Sequence, residues 1–151
     1  MDKECNWCHK IKSLSSFPKD KTMKSGYKNI CKDCVNIWRK KNPHRCRATR
    51  TISGHKLQGM KVEITTSELE QLLENTTNCS ICGIELKPDL GEGYYPNSPS
   101  VDRLNNETTL NIDNIWVVCR KCNTTKQNRS MKEFYHYCEF ITNKFKKIYG
   151  E

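Results

Sequence analysis

Eight of the ten cysteines stand in four Cys-x-x-Cys pairs: Cys5/Cys8, Cys31/Cys34, Cys79/Cys82 and Cys119/Cys122. Such a turn lets two thiolates reach one tetrahedral ion, and two turns close a four-sulfur shell. Order along the chain favours two consecutive clusters over crossed ones. The first joins Cys5 and Cys8 to Cys31 and Cys34 across 22 residues; the second joins Cys79 and Cys82 to Cys119 and Cys122 across 36. Zinc is the common occupant of intracellular tetrads of this kind, with an iron–sulfur centre as the main competitor. Cys5-Asn6-Trp7-Cys8-His9 also fits a haem-attachment pattern, but that chemistry normally follows export. A thiol redox site wants one such pair in a βαβ context, not four. Cys46 and Cys138 stand outside the pairs, and Cys138 falls on a helical apolar stripe, which predicts a buried thiol.

The tetrads matter because the rest of the chain promises little core. Only 35% of its 151 residues are apolar, and mean hydropathy is -0.83. Small cores need staples, and a structural zinc can supply on the order of 10 kcal/mol of apparent folding free energy. No apolar run follows the charged start Met1-Asp2-Lys3-Glu4, so no secretion signal is expected. The expected location is therefore inside the cell, in the cytoplasm, with the nucleoid or a phage-infected cell as settings. A net charge of +9 points to a polyanionic partner, nucleic acid or an anionic membrane.

Four segments are expected. Residues 1–42 form a zinc module with short hairpin pieces and a helix near residues 35–41, ended by Pro43. Residues 43–63 form a basic connector with no clear period, where Gly54 and Gly59 suggest turns. Residues 64–130 form the main core around the second tetrad. Thr65 and Glu68 make a capping box there, and Ile64 and Leu69 a staple. Ser100 to Leu104 and Ile115 to Val118 read as strands, the latter buried because it is apolar throughout. Asn123 to Gln127 reads as a helix. Residues 131–151 form a last helix, opened by a Ser130/Glu133 capping box and stopped at Gly150. Its Phe134, Cys138, Ile141, Phe145 and Ile148 make one apolar face, expected to pack on the protein's own core. The fold class is α+β, small and zinc-stabilised.

Between the third and fourth cysteine pairs lies Val101-Asp102-Arg103-Leu104, then Asn114-Ile115-Trp116-Val117-Val118-Cys119-Arg120-Lys121-Cys122-Asn123. A carboxylate on one strand, an Asn before the next and an Asn beside a zinc knuckle resemble the HNH, or ββα-metal, endonuclease family. The match covers about residues 79–130. The Asp-Arg pair is similar to a subgroup found in phage genes and restriction enzymes, and residues 5–41 resemble the zinc module that precedes such nucleases. The resemblance implies a metal-dependent DNA endonuclease hydrolysing phosphodiester bonds in double-stranded DNA to 5′-phosphate and 3′-hydroxyl ends. Asp102 and Asn123 would hold a catalytic Mg²⁺ or Mn²⁺, Asn114 would brace the hairpin loop, and both zinc ions would be structural.

One position departs from the family pattern. The usual general base is His, and here Arg103 stands in its place. Arginine stays protonated and cannot take a proton from water. Arg103 would instead grip the scissile phosphate. His55 is the first alternative base, with Tyr94 and Tyr95 behind it. Where many subgroup members carry Gly-Tyr, this chain has Thr109-Leu110. Lys126, Arg120, Lys121 and Arg129, with Arg39, Lys40 and Lys41 of the first module, are the candidate DNA contacts. Cutting both strands needs two such centres, which allows a homodimer. The competing readings are a non-catalytic zinc-dependent DNA- or RNA-binding protein and a zinc-built interaction adaptor.

Overall fold

The computed structural model describes residues 1–88, 95–106 and 109–150. It is α+β, with helices and two small antiparallel sheets, and divides into two compact units, Met1–Pro43 and His44–Glu151. Among the described residues, no helix is long and apolar enough to cross a membrane.

In the first unit, β1 (Asp2–Glu4) pairs with β2 (Ile11–Ser13), and α1 runs over Lys32–Lys41. Its core is built from Cys5, Phe17, Cys31 and Cys34, flanked by Cys8 and Tyr27. Sulfur therefore replaces the aliphatic side chains that a module of 43 residues cannot supply in number.

The second unit opens with α2 (Pro43–Leu57), whose first residue is the boundary proline. This stretch had no legible period, yet it is helical. Pro43 takes the first helical position, where its missing N–H costs nothing. Only Ala48 and Ile52 of α2 are buried, four residues apart on one face, too narrow a stripe to stand out among the basic residues. Gly54 lies inside α2 rather than in a turn, whereas Gly59 follows the helix with φ +76°.

Helix α3 (Thr66–Asn75) starts at the Thr65/Glu68 capping box and buries Leu69 and Leu73. Strand β3 (Pro99–Arg103) pairs antiparallel with β4 (Ile115–Cys119), Asp102 opposite Trp116. Strand β4 is apolar throughout because both of its faces are covered. Ile115 and Val117 join Ala48, Ile52, Ile64, Leu69, Leu73 and Leu110 in the main core. Val118 and Cys119 pack with Cys79 in a second cluster, against which Trp116 and Cys122 are partly buried. Helix α4 (Arg120–Lys126) follows β4 without a break.

Helix α5 (Met131–Tyr149) starts at the Ser130/Glu133 capping box and ends at Gly150 in the left-handed region. Its apolar face does not pack as expected. Phe134 is buried, but Cys138 is exposed, as are Ile141, Phe145 and Ile148. Of the apolar residues on this face, Phe134 in the first turn is the one that is buried.

Candidate active site and thiolate clusters

The four sulfurs of Cys5, Cys8, Cys31 and Cys34 lie within 4.8 Å of one another, and so do those of Cys79, Cys82, Cys119 and Cys122. A tetrahedral ion with Zn–S near ~2.3 Å requires sulfur–sulfur edges of about 3.8 Å. Cys5 Sγ to Cys34 Sγ is 3.9 Å, and Cys82 Sγ to Cys119 Sγ is 3.8 Å. Both tetrads therefore fit a zinc-sized ion with no sulfur left over.

The two clusters share one construction. In each, the first pair sits in a knuckle closed by two backbone hydrogen bonds. His9 N–H donates to Cys5 O at 2.8 Å and Cys5 N–H to Lys10 O at 3.1 Å. Gly83 N–H donates to Cys79 O at 2.9 Å and Cys79 N–H to Ile84 O at 2.8 Å. The residue after the second cysteine is left-handed in both, His9 at φ 55° and Gly83 at φ 72°. In each cluster the second pair opens a helix, with Cys31 as the N-cap of α1 and Cys119 as the N-cap of α4. A helix N-terminus favours negative charge, so it suits a thiolate. Backbone N–H groups also reach the sulfurs, Cys31 N to Cys5 Sγ at 3.3 Å and Cys119 N to Cys79 Sγ at 3.1 Å.

Crowding splits the ionisation of these thiols. Burial opposes the Cys5 thiolate, yet backbone donors bring its pKa down to about 6. Burial, and the sulfurs beside it, push Cys34 up to about 12. A divalent ion is what allows four thiolates to share one site. Lys12 adds local positive charge, its ammonium 3.6 Å from Cys31 Sγ and 2.7 Å from Asp33.

The second cluster holds the junction of β4 and α4 through Cys119 and Cys122, and the polar site is built from β3 and α4 beside it. Ser100 and Asp102 share one face of β3, because alternate residues of a strand point the same way. Asn123 and Lys126 are three residues apart on α4, hence neighbours on its surface. The two faces meet. Asn123 Nδ2 donates to Ser100 Oγ at 2.7 Å, and Lys126 Nζ lies 3.3 Å from Asp102 Oδ1 and 3.1 Å from Oδ2. From the paired strand, Trp116 Nε1 donates to Asp102 Oδ2 at 2.9 Å. Asp102 is 7% exposed and Lys126 fully buried.

Lys126 is therefore not at the surface where a phosphate contact was expected. It neutralises Asp102, because a buried carboxylate needs a paired charge. Ser100 and Trp116 were missed in the sequence. The period of two along β3 pointed to Ser100 once Asp102 was chosen; Trp116 needed the strand register.

Asn114 holds the hairpin loop. Its Oδ1 accepts from Asn105 N–H at 2.8 Å, while Nδ2 donates to Asn105 O at 2.9 Å and Thr109 O at 3.0 Å. Arg103 follows Asp102 on β3 and donates from Nη1 to Asn106 O at 2.7 Å. Strand alternation directs it away from the Ser100 and Asp102 face.

His55 lies in the last turn of α2, not in a flexible segment. Its Nδ1 is 2.8 Å from Thr51 O. A carbonyl only accepts, so Nδ1 carries the proton and Nε2 is the acceptor of the neutral ring. No contact joins His55 to Asp102 or Asn123 among the described residues. Tyr95 is half-buried, and Tyr94 lies outside the described residues.

Arg129 is held inside the second unit. Its Nη1 donates to Thr125 O at 3.2 Å and Lys126 O at 3.3 Å, and its guanidinium lies 4.7 Å from the Tyr137 ring centroid. It caps the end of α4 rather than standing free for DNA. Lys121 is exposed and Arg120 half-buried near the start of α4, and Arg39, Lys40 and Lys41 form the exposed last turn of α1. Charge is unevenly divided between the units. Residues 1–43 carry eleven Lys and Arg against four Asp and Glu, while residues 44–151 carry fifteen against thirteen. The cationic excess thus belongs mainly to the first unit.

No protein-family model matches this sequence, and comparison with curated proteins finds no match. Among solved structures, the chain is similar to the rare-cutting HNH restriction endonuclease PacI. That likeness has 18% sequence identity and a TM-score of 0.45, and covers 95% of each chain.

Proposed function

We propose that this protein is a metal-dependent DNA endonuclease of the HNH type. The observation that carries the reading is the seating of Asn123 and Lys126 of α4 on Ser100 and Asp102 of β3. A strand pair, a helix and a tetrad at their junction bring a carboxylate and a carboxamide to one face. Asp102 and Asn123 supply the oxygen donors that a hard divalent ion prefers. When bound, the ion supplies charge stabilisation at the scissile phosphate and the leaving 3′-oxygen.

The chain's own residues do the positioning. Ser100 Oγ accepts a hydrogen bond from Asn123 Nδ2, which fixes how that carboxamide is turned. Trp116 holds the Asp102 carboxylate from the paired strand. Lys126 pairs with that carboxylate inside the protein and would have to share it with an ion. Asn114 sets the loop beyond Arg103. Arg39, Lys40 and Lys41 supply backbone attraction to DNA, which raises affinity without reading sequence. His55 Nε2 is the proposed proton acceptor, and two chains acting together would cut both strands. The two tetrads hold structural zinc, since four thiolates leave no open position. Action on DNA places the protein inside the cell.

One observation favours a second reading. Arg103 stands where a base would, and Lys126 already satisfies Asp102. A protein that binds DNA or RNA through the same zinc-built surfaces without cleaving it would have this arrangement.

Conversion of supercoiled plasmid with Mg²⁺ or Mn²⁺ separates the two, wild type being compared with Asp102→Ala. Nicking or linearisation by wild type alone supports the endonuclease. Binding by both proteins without cleavage of varied DNA supports the binding module.

A further inference from the structure

The two tetrads are built alike but are not equally covered. In the first, Cys5 and Cys31 are fully buried, Cys34 is 6% exposed and Cys8 is half-buried. In the second, Cys79 and Cys119 are buried and Cys122 is half-buried, but Cys82 is exposed. Cys82 is thus the one tetrad cysteine that stands at the surface. The residue after it is Gly83, which has no side chain to cover the turn, where the first knuckle has His9.

Hydrogen-bond donors separate the sulfurs further. Lys12 Nζ lies 3.6 Å from Cys31 Sγ and is anchored to Asp33 at 2.7 Å. A donor on a thiolate, above all a cationic one, draws electron density from the sulfur and lowers its nucleophilicity. Backbone N–H groups do the same for Cys5, Cys79 and Cys119. No N–H donor reaches Cys82 Sγ among the described residues, and its sulfur neighbour is Cys119 Sγ at 3.8 Å. A metal-held thiolate reacts without first losing a proton, and reactivity among thiolates follows exposure. An exposed thiolate beside a second sulfur is the arrangement from which a two-electron oxidant makes a disulfide.

We propose that Cys82 is a peroxide-sensitive ligand of the second tetrad and that Cys119 resolves it, giving a Cys82–Cys119 disulfide with loss of zinc. The Cys82 thiolate attacks one oxygen of hydrogen peroxide. An S–O bond forms, the O–O bond breaks and hydroxide leaves, so the sulfur becomes a sulfenic acid and the peroxide is reduced. The Cys119 thiolate then attacks the Cys82 sulfur from 3.8 Å. An S–S bond of about 2.05 Å forms, the S–O bond breaks and a second hydroxide leaves. The two thiolates together give up two electrons, and solvent protonates both hydroxides to water. Cys79 and Cys122 alone cannot close a four-sulfur shell. A dithiol reductant reverses the link, so the site can be reloaded. This goes beyond the nuclease reading and does not depend on it; it rests on the tetrads holding zinc.

Peroxide titration of the full zinc-loaded chain tests the assignment. Metal analysis first counts the ions. A chromogenic chelator then follows released zinc, and tryptic mass mapping locates the links. The expected result is one zinc per chain in a fast phase, with Cys82 joined to Cys119, and the other released about tenfold more slowly. Dithiothreitol and added zinc should restore the starting state. Cys82→His keeps a fourth ligand for the ion and should lose the fast phase. Lys12→Met should speed release from the first tetrad about tenfold and leave the fast phase unchanged. A chain without zinc, release of both ions at one rate, a first link among Cys5, Cys8, Cys31 and Cys34, a link from Cys82 to any cysteine but Cys119, or a fast phase that survives Cys82→His each overturns the proposal. An unaltered first-tetrad rate in Lys12→Met removes the protective role of that cation. None of these readouts uses cleavage, so an inactive plasmid assay leaves the result standing.

Discussion

The ammonium of Lys126 lies 3.1 Å from the Asp102 carboxylate, and both side chains are buried between α4 and β3. The pair joins the helix to the hairpin at the point where the proposed chemistry would occur. Removing the cation would leave an uncompensated buried charge. Lys126→Met should therefore destabilise the protein by about 3 kcal/mol. If Asp102 also serves a divalent ion, Mn²⁺ should recover much of that loss in urea denaturation of Lys126→Met and much less in Asp102→Ala. Equal response of the two variants would remove Asp102 from the ion site.

Asn114 makes three side-chain hydrogen bonds to the backbone of its loop. Asn114→Ala should cost about 2 kcal/mol in thermal or chemical unfolding. Asn114→Asp keeps the acceptor but loses both donor bonds, so it should recover only part of that stability. If both variants match wild type, the loop is held by other means.

Chelation should act on folding before it acts on chemistry. Each tetrad supplies binding free energy on the order of 10 kcal/mol to its unit. Removing zinc with a strong chelator should collapse the circular dichroism of the first unit most completely, because its core is largely cysteine. The second unit has an independent aliphatic core and should retain more helix. Metal analysis should return two zinc ions per chain, and an iron absorbance band would reassign the sites.

Salt dependence should follow the division of charge. Each phosphate contact contributes a slope of about 0.9 in log K against log salt. Replacing Arg39, Lys40 and Lys41 together by alanine should lower that slope by about 2 to 3 for a duplex probe. The buried Lys126 should contribute nothing to it. An unchanged slope in the triple variant would move the phosphate contacts off α1.

Acid should loosen α5 from its first turn. Hydrogen bonds from the Ser130 backbone and hydroxyl hold the Glu133 carboxyl below the ordinary glutamate value of 4.5. A depressed folded pKa contributes stability above the unfolded value, and that contribution disappears as pH falls through the folded value. Amide exchange in residues 131–134 should therefore quicken below about pH 4.5 in wild type. Glu133→Gln should remove most of that pH response.

Much of this architecture was legible from spacing. The cysteine pairs named the tetrads because ligand spacing is set by one ion's geometry. The capping boxes at Thr65 and Ser130 were legible because they are local. Three features needed the fold. Helix α2 carries too narrow an apolar face to register as a period. The stripe of α5 was correctly periodic, yet periodicity does not say whether the partner lies in the same chain. Lys126 looked like any surface lysine on a basic helix, and only the packing of α4 on β3 turned it inward onto Asp102. Trp116 became part of the site through strand register alone.

The left-handed residue after each knuckle has a further consequence. Gly83 adopts φ 72° without a steric cost, whereas His9 adopts φ 55° with a Cβ attached. The same clasp is thus fastened loosely in one cluster and under tension in the other. The second clasp is tied through its ion site to Cys119 and Cys122, where β4 passes into α4, so opening it would loosen the turn from which Asn123 and Lys126 project. Losing Cys79 or Cys82 as a ligand would then slacken the α4 anchor while leaving Asp102 and Asn123 chemically untouched.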